Sequence, residues 1–213
     1  MTRIIKEKVK CAVCHHKFEA NIFLSSNSSG RPDLDFRPNG MMRTACVGMV
    51  TICPKCGYAN SQIEKLISDN VKDIMDSEQY RYYRDNIHIE KARANMLCGY
   101  LNMVNGFDNK AVRYFLTAAW VFDDYCDETW AITARKEAIA CLLKGKNNIT
   151  DFYYKALLID MNRRIGAFKE AEELIDEYLP VEEDADNVKY CKFQKELCAA
   201  KDSEAHNCSE FLD

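Results

Sequence analysis

Two periods divide the chain. Up to about residue 60 the apolar positions alternate or cluster between turns, as in Ile4 to Lys10 and Val47 to Ile52, whereas beyond it they recur every three or four residues. The first pattern predicts short strands and the second predicts helices. After a cap at Asn60 or Ser61, the residues Ile63, Leu66, Ile67, Val71, Ile74 and Met75 trace one amphipathic face. A second helix is expected from about residue 87, with Ile89, Ala92, Met96, Leu97, Tyr100, Leu101 and Val104 together, ending at Asn105-Gly106. A third begins after Asp108 and presents Ala111, Phe115, Ala118, Ala119 and Phe122, so the short link makes the two antiparallel neighbours. Further helices are expected at about 128–144, 150–165, 168–179 and 187–201. Their punctuation is Asp127, Gly145 with Asn147 and Asn148, Gly166, and Pro180 before the acidic run Glu182 to Asp186. The fold class that follows is α+β, mainly α: a small N-terminal head and then antiparallel helical hairpins. Trp120, Trp130, Phe115, Phe122 and Tyr125 read as core aromatics.

Two of the helix turns look alike. Gly106-Phe107-Asp108-Asn109-Lys110-Ala111 and Gly166-Ala167-Phe168-Lys169-Glu170-Ala171 each place an Ala five residues after the Gly. A tetratricopeptide-type hairpin needs this, because the Gly ends one helix while small residues let the next approach closely. The separation of 60 residues is not a multiple of the usual ~34-residue repeat, so the array is expected to be irregular.

Charge changes where the period changes. Residues 1–60 hold nine basic and four acidic residues, a balance of +5, and the net charge of −4 leaves −9 for the remainder. The expected division is a head at 1–60, a helical part at 61–205 and a tail at 206–213. No stretch approaches the ~20 apolar residues of a membrane span, and Met1 to Lys10 lacks a secretory apolar region. A cytoplasmic protein without a membrane partner is expected. Eleven cysteines, an odd number without an export signal, argue for a reducing compartment instead of a disulfide framework.

Four of those cysteines carry the clearest chemistry. Cys11-x-x-Cys14 and Cys53-x-x-Cys56 are separated by 38 residues, and two such turns supply the closed four-sulfur tetrahedron of a structural zinc ribbon. Pro54 stiffens the second turn, and Gly57 permits a positive φ after its last ligand. One Zn²⁺ per chain is the expected cofactor. His15, His16 and Cys46 stand close enough in sequence to replace a ligand, but the four knuckle cysteines already fill the coordination number. Between the knuckles, Arg31, Asp33, Asp35, Arg37 and Arg43 read in two ways: carboxylates and guanidinium groups paired among themselves to hold the loop against the ribbon, or a recognition loop for an anionic partner.

These residues resemble a bacterial family, domain of unknown function 2225. The resemblance is carried by the two knuckles, the run from Ser26 to Pro38, Cys-Pro-Lys-Cys-Gly-Tyr at 53–58, Ala118 to Asp124, and Asn162-Arg163-Arg164-Ile165-Gly166. The first knuckle departs from the family pattern at Ala12, Val13 and His15, where the family often has Pro after the first Cys and Gly after the second. The resemblance implies a zinc ribbon followed by tetratricopeptide-like helices, and it implies no activity. Three functional classes remain to be weighed. An interaction protein that presents a helical groove to a protein or peptide fits the repeat geometry. Nucleic-acid binding by the head draws on its +5 balance, which four thiolates and Zn²⁺ would reduce to +3. An enzyme is disfavoured: no phosphate loop, nucleophile elbow or two-histidine metal motif is present, and His88 and His206 show no partner in the sequence.

Overall fold

A computed structural model describes residues 1–144 and 151–212, so the expected punctuation at Gly145, Asn147 and Asn148 lies outside the described residues. The fold is α+β and mainly α. Contacts divide it into two compact units, the first comprising 1–27 and 41–141, the second comprising 28–40 and 142–213. Residues 1–27 and 41–60 of the basic head group with the helices that follow them, whereas residues 28–40, the middle of the stretch between the knuckles, group with the C-terminal part of the chain.

In the first unit, β1 (Arg3–Lys10) and β2 (Lys17–Ser25) form an antiparallel hairpin with Val9 opposite Phe18. A short helix α1 (Met41–Ala45) leads through a 3-10 turn at Cys46–Gly48 into the two-residue pair β3 (Thr51–Ile52) and β4 (Ala59–Asn60). The strand expected over Val47 to Ile52 is thus only its last two residues.

The helix expected from residue 61 is absent over its first ten residues. Those residues form turns, and α2 occupies only Val71–Met75. The turn region satisfies the head instead. The Ala12 N–H donates to the Ile63 carbonyl at 3.0 Å, the Lys10 N–H to Glu64 Oε1 at 2.9 Å, and the Tyr58 hydroxyl to the Lys65 carbonyl at 2.8 Å. Backbone groups held this way are withdrawn from a helical ladder, so tertiary pairing overrides an intact apolar period. A helix not anticipated from the pattern, α3 (Glu78–Asn86), follows Ser77, whose side chain caps it by accepting the Tyr80 N–H.

Helices α4 (Glu90–Val104), α5 (Asp108–Asp124) and α6 (Glu128–Lys144) fall where the period places them. Gly99 lets α4 and α5 touch, because a Cβ there would lie 2.8 Å from the Phe115 ring. Phe115, Phe122 and Trp120 are buried as expected, whereas Tyr125, one residue past α5, is 67% exposed.

The second unit is built on α7 (Phe152–Arg164), α8 (Phe168–Tyr178), α9 (Ala185–Ala199) and the short α10 (Ser209–Leu212). Its core includes Leu34, Ile159, Ile175, Tyr190 and Cys191. The expected tail is part of this unit. Asn207 bridges Asp33, the Cys208 N–H donates to the Pro32 carbonyl at 2.9 Å, and Cys208 is buried.

The two look-alike turns close in the same way. Gly106 and Gly166 adopt φ of 74° and 78°. The N–H of the next residue returns to the Asn five positions earlier, Phe107 to Asn102 and Ala167 to Asn162, at 2.9 Å in both. This is the Schellman closure, and it also ends α5 at Cys126 (φ 57°) and α9 at Lys201 (φ 54°), where no glycine announces it.

Candidate metal centre

Each knuckle is a tight turn closed by its own backbone. In the first, the His15 N–H donates to the Cys11 carbonyl and the Cys11 N–H to the His16 carbonyl, both at 2.9 Å. In the second, the Gly57 N–H donates to the Cys53 carbonyl at 2.9 Å and the Cys53 N–H to the Tyr58 carbonyl at 2.8 Å. The two turns match position for position. His15 takes φ 59° where the second turn has Gly57 at φ 77°, so the first knuckle keeps the geometry without the glycine. Side chains on neighbouring elements fix the second turn: Tyr80, fully buried on α3, donates its hydroxyl to the Gly57 carbonyl at 2.9 Å.

The turns bring four sulfurs together. Cys11 Sγ lies 3.6 Å from Cys56 Sγ, Cys14 Sγ lies 3.6 Å from Cys53 Sγ, and all four are within 4.8 Å of one another. A tetrahedral ion with metal–sulfur bonds of about 2.3 Å would hold its sulfurs about 3.8 Å apart, so the donor set fits one ion of that kind. Cys11 and Cys53 are buried and Cys14 and Cys56 half-buried. Burial pushes the Cys11 and Cys56 thiols up. Burial also acts on Cys14, but the His16 backbone and the neighbouring sulfurs outweigh it and draw that thiol down to about 7. Four thiolates at this separation repel one another, and a divalent cation at their centre removes the repulsion.

The other sequence candidates are placed apart from this cluster. His15 is exposed, His16 stacks on Phe18 with ring centroids 6.0 Å apart, and the Cys46 Sγ donates to the Arg43 carbonyl at 3.4 Å. None joins the four-sulfur group among the described residues. The five residues of the proposed recognition loop are divided between the units. Arg43 lies half-buried on α1, in the first unit. In the second, Arg31 is exposed, while Asp35 and Arg37 are 2% and 3% exposed. The turn there is closed by the Asp33 N–H on the Arg37 carbonyl and the Phe36 N–H on the Asp33 carbonyl. Leu34 is tied down by its N–H on the His206 carbonyl and by the Tyr190 hydroxyl on its own carbonyl at 3.1 Å. Residues 33–37 are thus tied to the C-terminal part of their own unit.

A polar group in the second unit was not apparent from the sequence. Arg163, 0% exposed, donates to Asp160 at 2.7 Å, to Gln194 at 2.8 Å, and to the carbonyls of Asp202 and Glu204. Gln194 donates in turn to Asp160 at 2.9 Å and to the Tyr190 hydroxyl at 2.8 Å. Burial works against the Asp160 carboxylate, but the Arg163 and Arg164 charges and the Gln194 amide prevail and hold it below the usual range. The available signal was an acid and a base at i, i+3 on an otherwise apolar face. His206, read from the sequence as unpartnered, stands between Glu210 at 2.8 Å and Asp202 at 3.2 Å.

A family model described as an uncharacterized protein conserved in bacteria (DUF2225) matches residues 4–179. No curated protein and no solved structure matches the chain. Among the described residues, no helix is long and apolar enough to cross a membrane.

Proposed function

Because the chain belongs to the bacterial family DUF2225, whose description names no activity, we propose a function from the geometry: a zinc-stapled interaction protein whose tetratricopeptide-like hairpins receive a protein partner. The observation that carries the first half is the convergence of four cysteine sulfurs within 4.8 Å from two matching turns. Soft thiolates in a tetrahedron select zinc, and a shell filled by four protein ligands leaves the ion no position for substrate. The role is therefore structural, and the protein is read as having no catalysis of its own. The second half is supported by the repeated Asn-to-Gly closure of the α4–α5 and α7–α8 turns, since paired helices of this kind leave faces free for recognition.

Elemental analysis of the freshly purified protein should give one zinc per chain, and cobalt substitution should give the absorption of a four-thiolate site. Fewer than four thiolates, or an exchangeable water in the shell, would sink the structural reading. Crosslinked capture from the native cell with metal-loaded protein tests the partner, and the absence of any reproducible protein counts against it.

A further inference from the structure

A cleft of about 560 Å³ opens in the first unit, where the turn after β4 faces the α4–α5 hairpin. That volume is within the range of ~300–1,000 Å³ usual for ligand sites. Every charged residue of its lining is a cation: Lys65 from the turn, and Lys110 and Arg113 from the start of α5. All three are exposed, and among the described residues none makes an ion pair. Lys110 lies instead over the Phe107 ring, 5.1 Å from its centroid. The acids adjacent in sequence, Glu64 and Asp108, are outside the lining, and Glu64 accepts the Lys10 N–H. In a chain of net charge −4, three cations gathered around one depression with no carboxylate among them favour an anionic occupant.

The local backbone distinguishes between anions. Phosphate sites use converging free N–H groups. Here four N–H groups of the lining already donate within the protein: Gln62 to Asn60 Oδ1 at 3.2 Å, Lys65 to the Gln62 carbonyl at 2.8 Å, and Phe107 to the Asn102 carbonyl and Lys110 to the Phe107 carbonyl, both at 2.9 Å. The cations are spread over two elements, and Leu66 and Phe107, 48% and 43% exposed, offer apolar surface in the same lining. Spaced charges with apolar surface beside them match carboxylates spaced along a chain with an apolar side chain between them.

We propose that this cleft binds an acidic peptide segment of a partner protein, its carboxylates on Lys65, Lys110 and Arg113 and an apolar side chain on Leu66 and Phe107. The proposal rests on the interaction reading above and names the chemistry of its partner.

The test is selection of a random-peptide phage library on the metal-loaded full chain, wild type against Lys65→Gln/Lys110→Gln/Arg113→Gln. Wild type should enrich sequences that alternate Asp or Glu with apolar residues, and the triple variant should not. The enriched peptide, labelled for anisotropy, should bind about tenfold more weakly to the triple variant and weaken as salt rises. Changing the peptide's own acids to amides should have the same effect on unaltered protein, which keeps the result independent of the variant's folding. Enrichment of non-acidic sequences, no enrichment, or equal binding by the triple variant would overturn the proposal. So would displacement of the peptide by ATP or a single-stranded oligonucleotide at lower concentration than by the peptide itself. If the triple variant still captures the cellular partner, the cleft is refuted and the interaction reading survives. If wild type captures none, the interaction reading fails first.

Discussion

His15 and Gly57 occupy the same place in two copies of one turn, yet only one of them is glycine. A left-handed conformation costs an ordinary L-residue about 1–2 kcal/mol, so the two positions answer oppositely to exchange. Gly57→Ala should lower stability by about 1–2 kcal/mol, and the new Cβ would also press on the Arg84 side chain 3.2 Å away. His15→Gly should change stability by less than about 1 kcal/mol, since relief of strain is offset by a more flexible unfolded chain. Denaturant titration of the zinc-loaded protein checks both, and equal losses at the two sites would contradict the equivalence of the knuckles. Gly57 was identifiable in the sequence because glycine marks positive φ. His15, Cys126 and Lys201 take the same conformation without that mark, and only their backbone hydrogen bonds reveal it.

At the scale of elements, the two hairpins share a closure but solve their packing differently. Where α4 and α5 cross, Gly99 faces Phe115, and the positions sixty residues later, on α7 and α8, are Ile159 and Ile175. Gly99→Ala should destabilise by about 1–3 kcal/mol through overpacking, and Phe115→Leu in the same chain should recover part of that loss. Simple additivity in this double-mutant cycle would show that the two side chains do not meet. The α7–α9 pair is locked by Asp160, Arg163 and Gln194, and here the sign of the pH dependence is definite. Asp160 has a depressed folded value, so its stabilisation is full above the unfolded carboxyl value of about 3.9 and is lost as pH falls through the lower folded value. Arg163→Met should cost about 3–5 kcal/mol near neutral pH by leaving a buried carboxylate unpaired. The same variant should invert the trend, its deficit shrinking on acidification as Asp160 takes up a proton. Unfolding curves at pH 7 and pH 4 for both proteins measure this, and parallel pH profiles would refute the pairing.

For the molecule as a whole, the consequential feature is that the chain leaves the first unit at residue 28, returns at 41, and leaves again after 141. Metal binding and folding are coupled in four-thiolate sites, so chelation should loosen the unit that contains them. Hydrogen exchange after zinc removal should rise over 3–25 and 46–60. Residues 33–37, anchored by Tyr190 and the carbonyl of His206, should stay protected together with 185–199. Even deprotection across 1–60 would restore the boundary that charge and periodicity suggest.

The sequence alone determined the features that local chemistry controls. The knuckle cysteines were legible because metal-ligand spacing is a property of a single turn, and α4 to α9 were legible because apolar residues recur every three or four positions along them. Tertiary structure decided the rest. Residues 61–70 carry a helical period but use their carbonyls to hold Ala12 of the first knuckle and anchor Tyr58. The arginine-rich loop carries the composition of an exposed segment but sets Leu34 into a core whose other members lie more than a hundred residues away. In both cases the deciding hydrogen bonds and contacts join positions remote in sequence, where neither period nor composition carries the information.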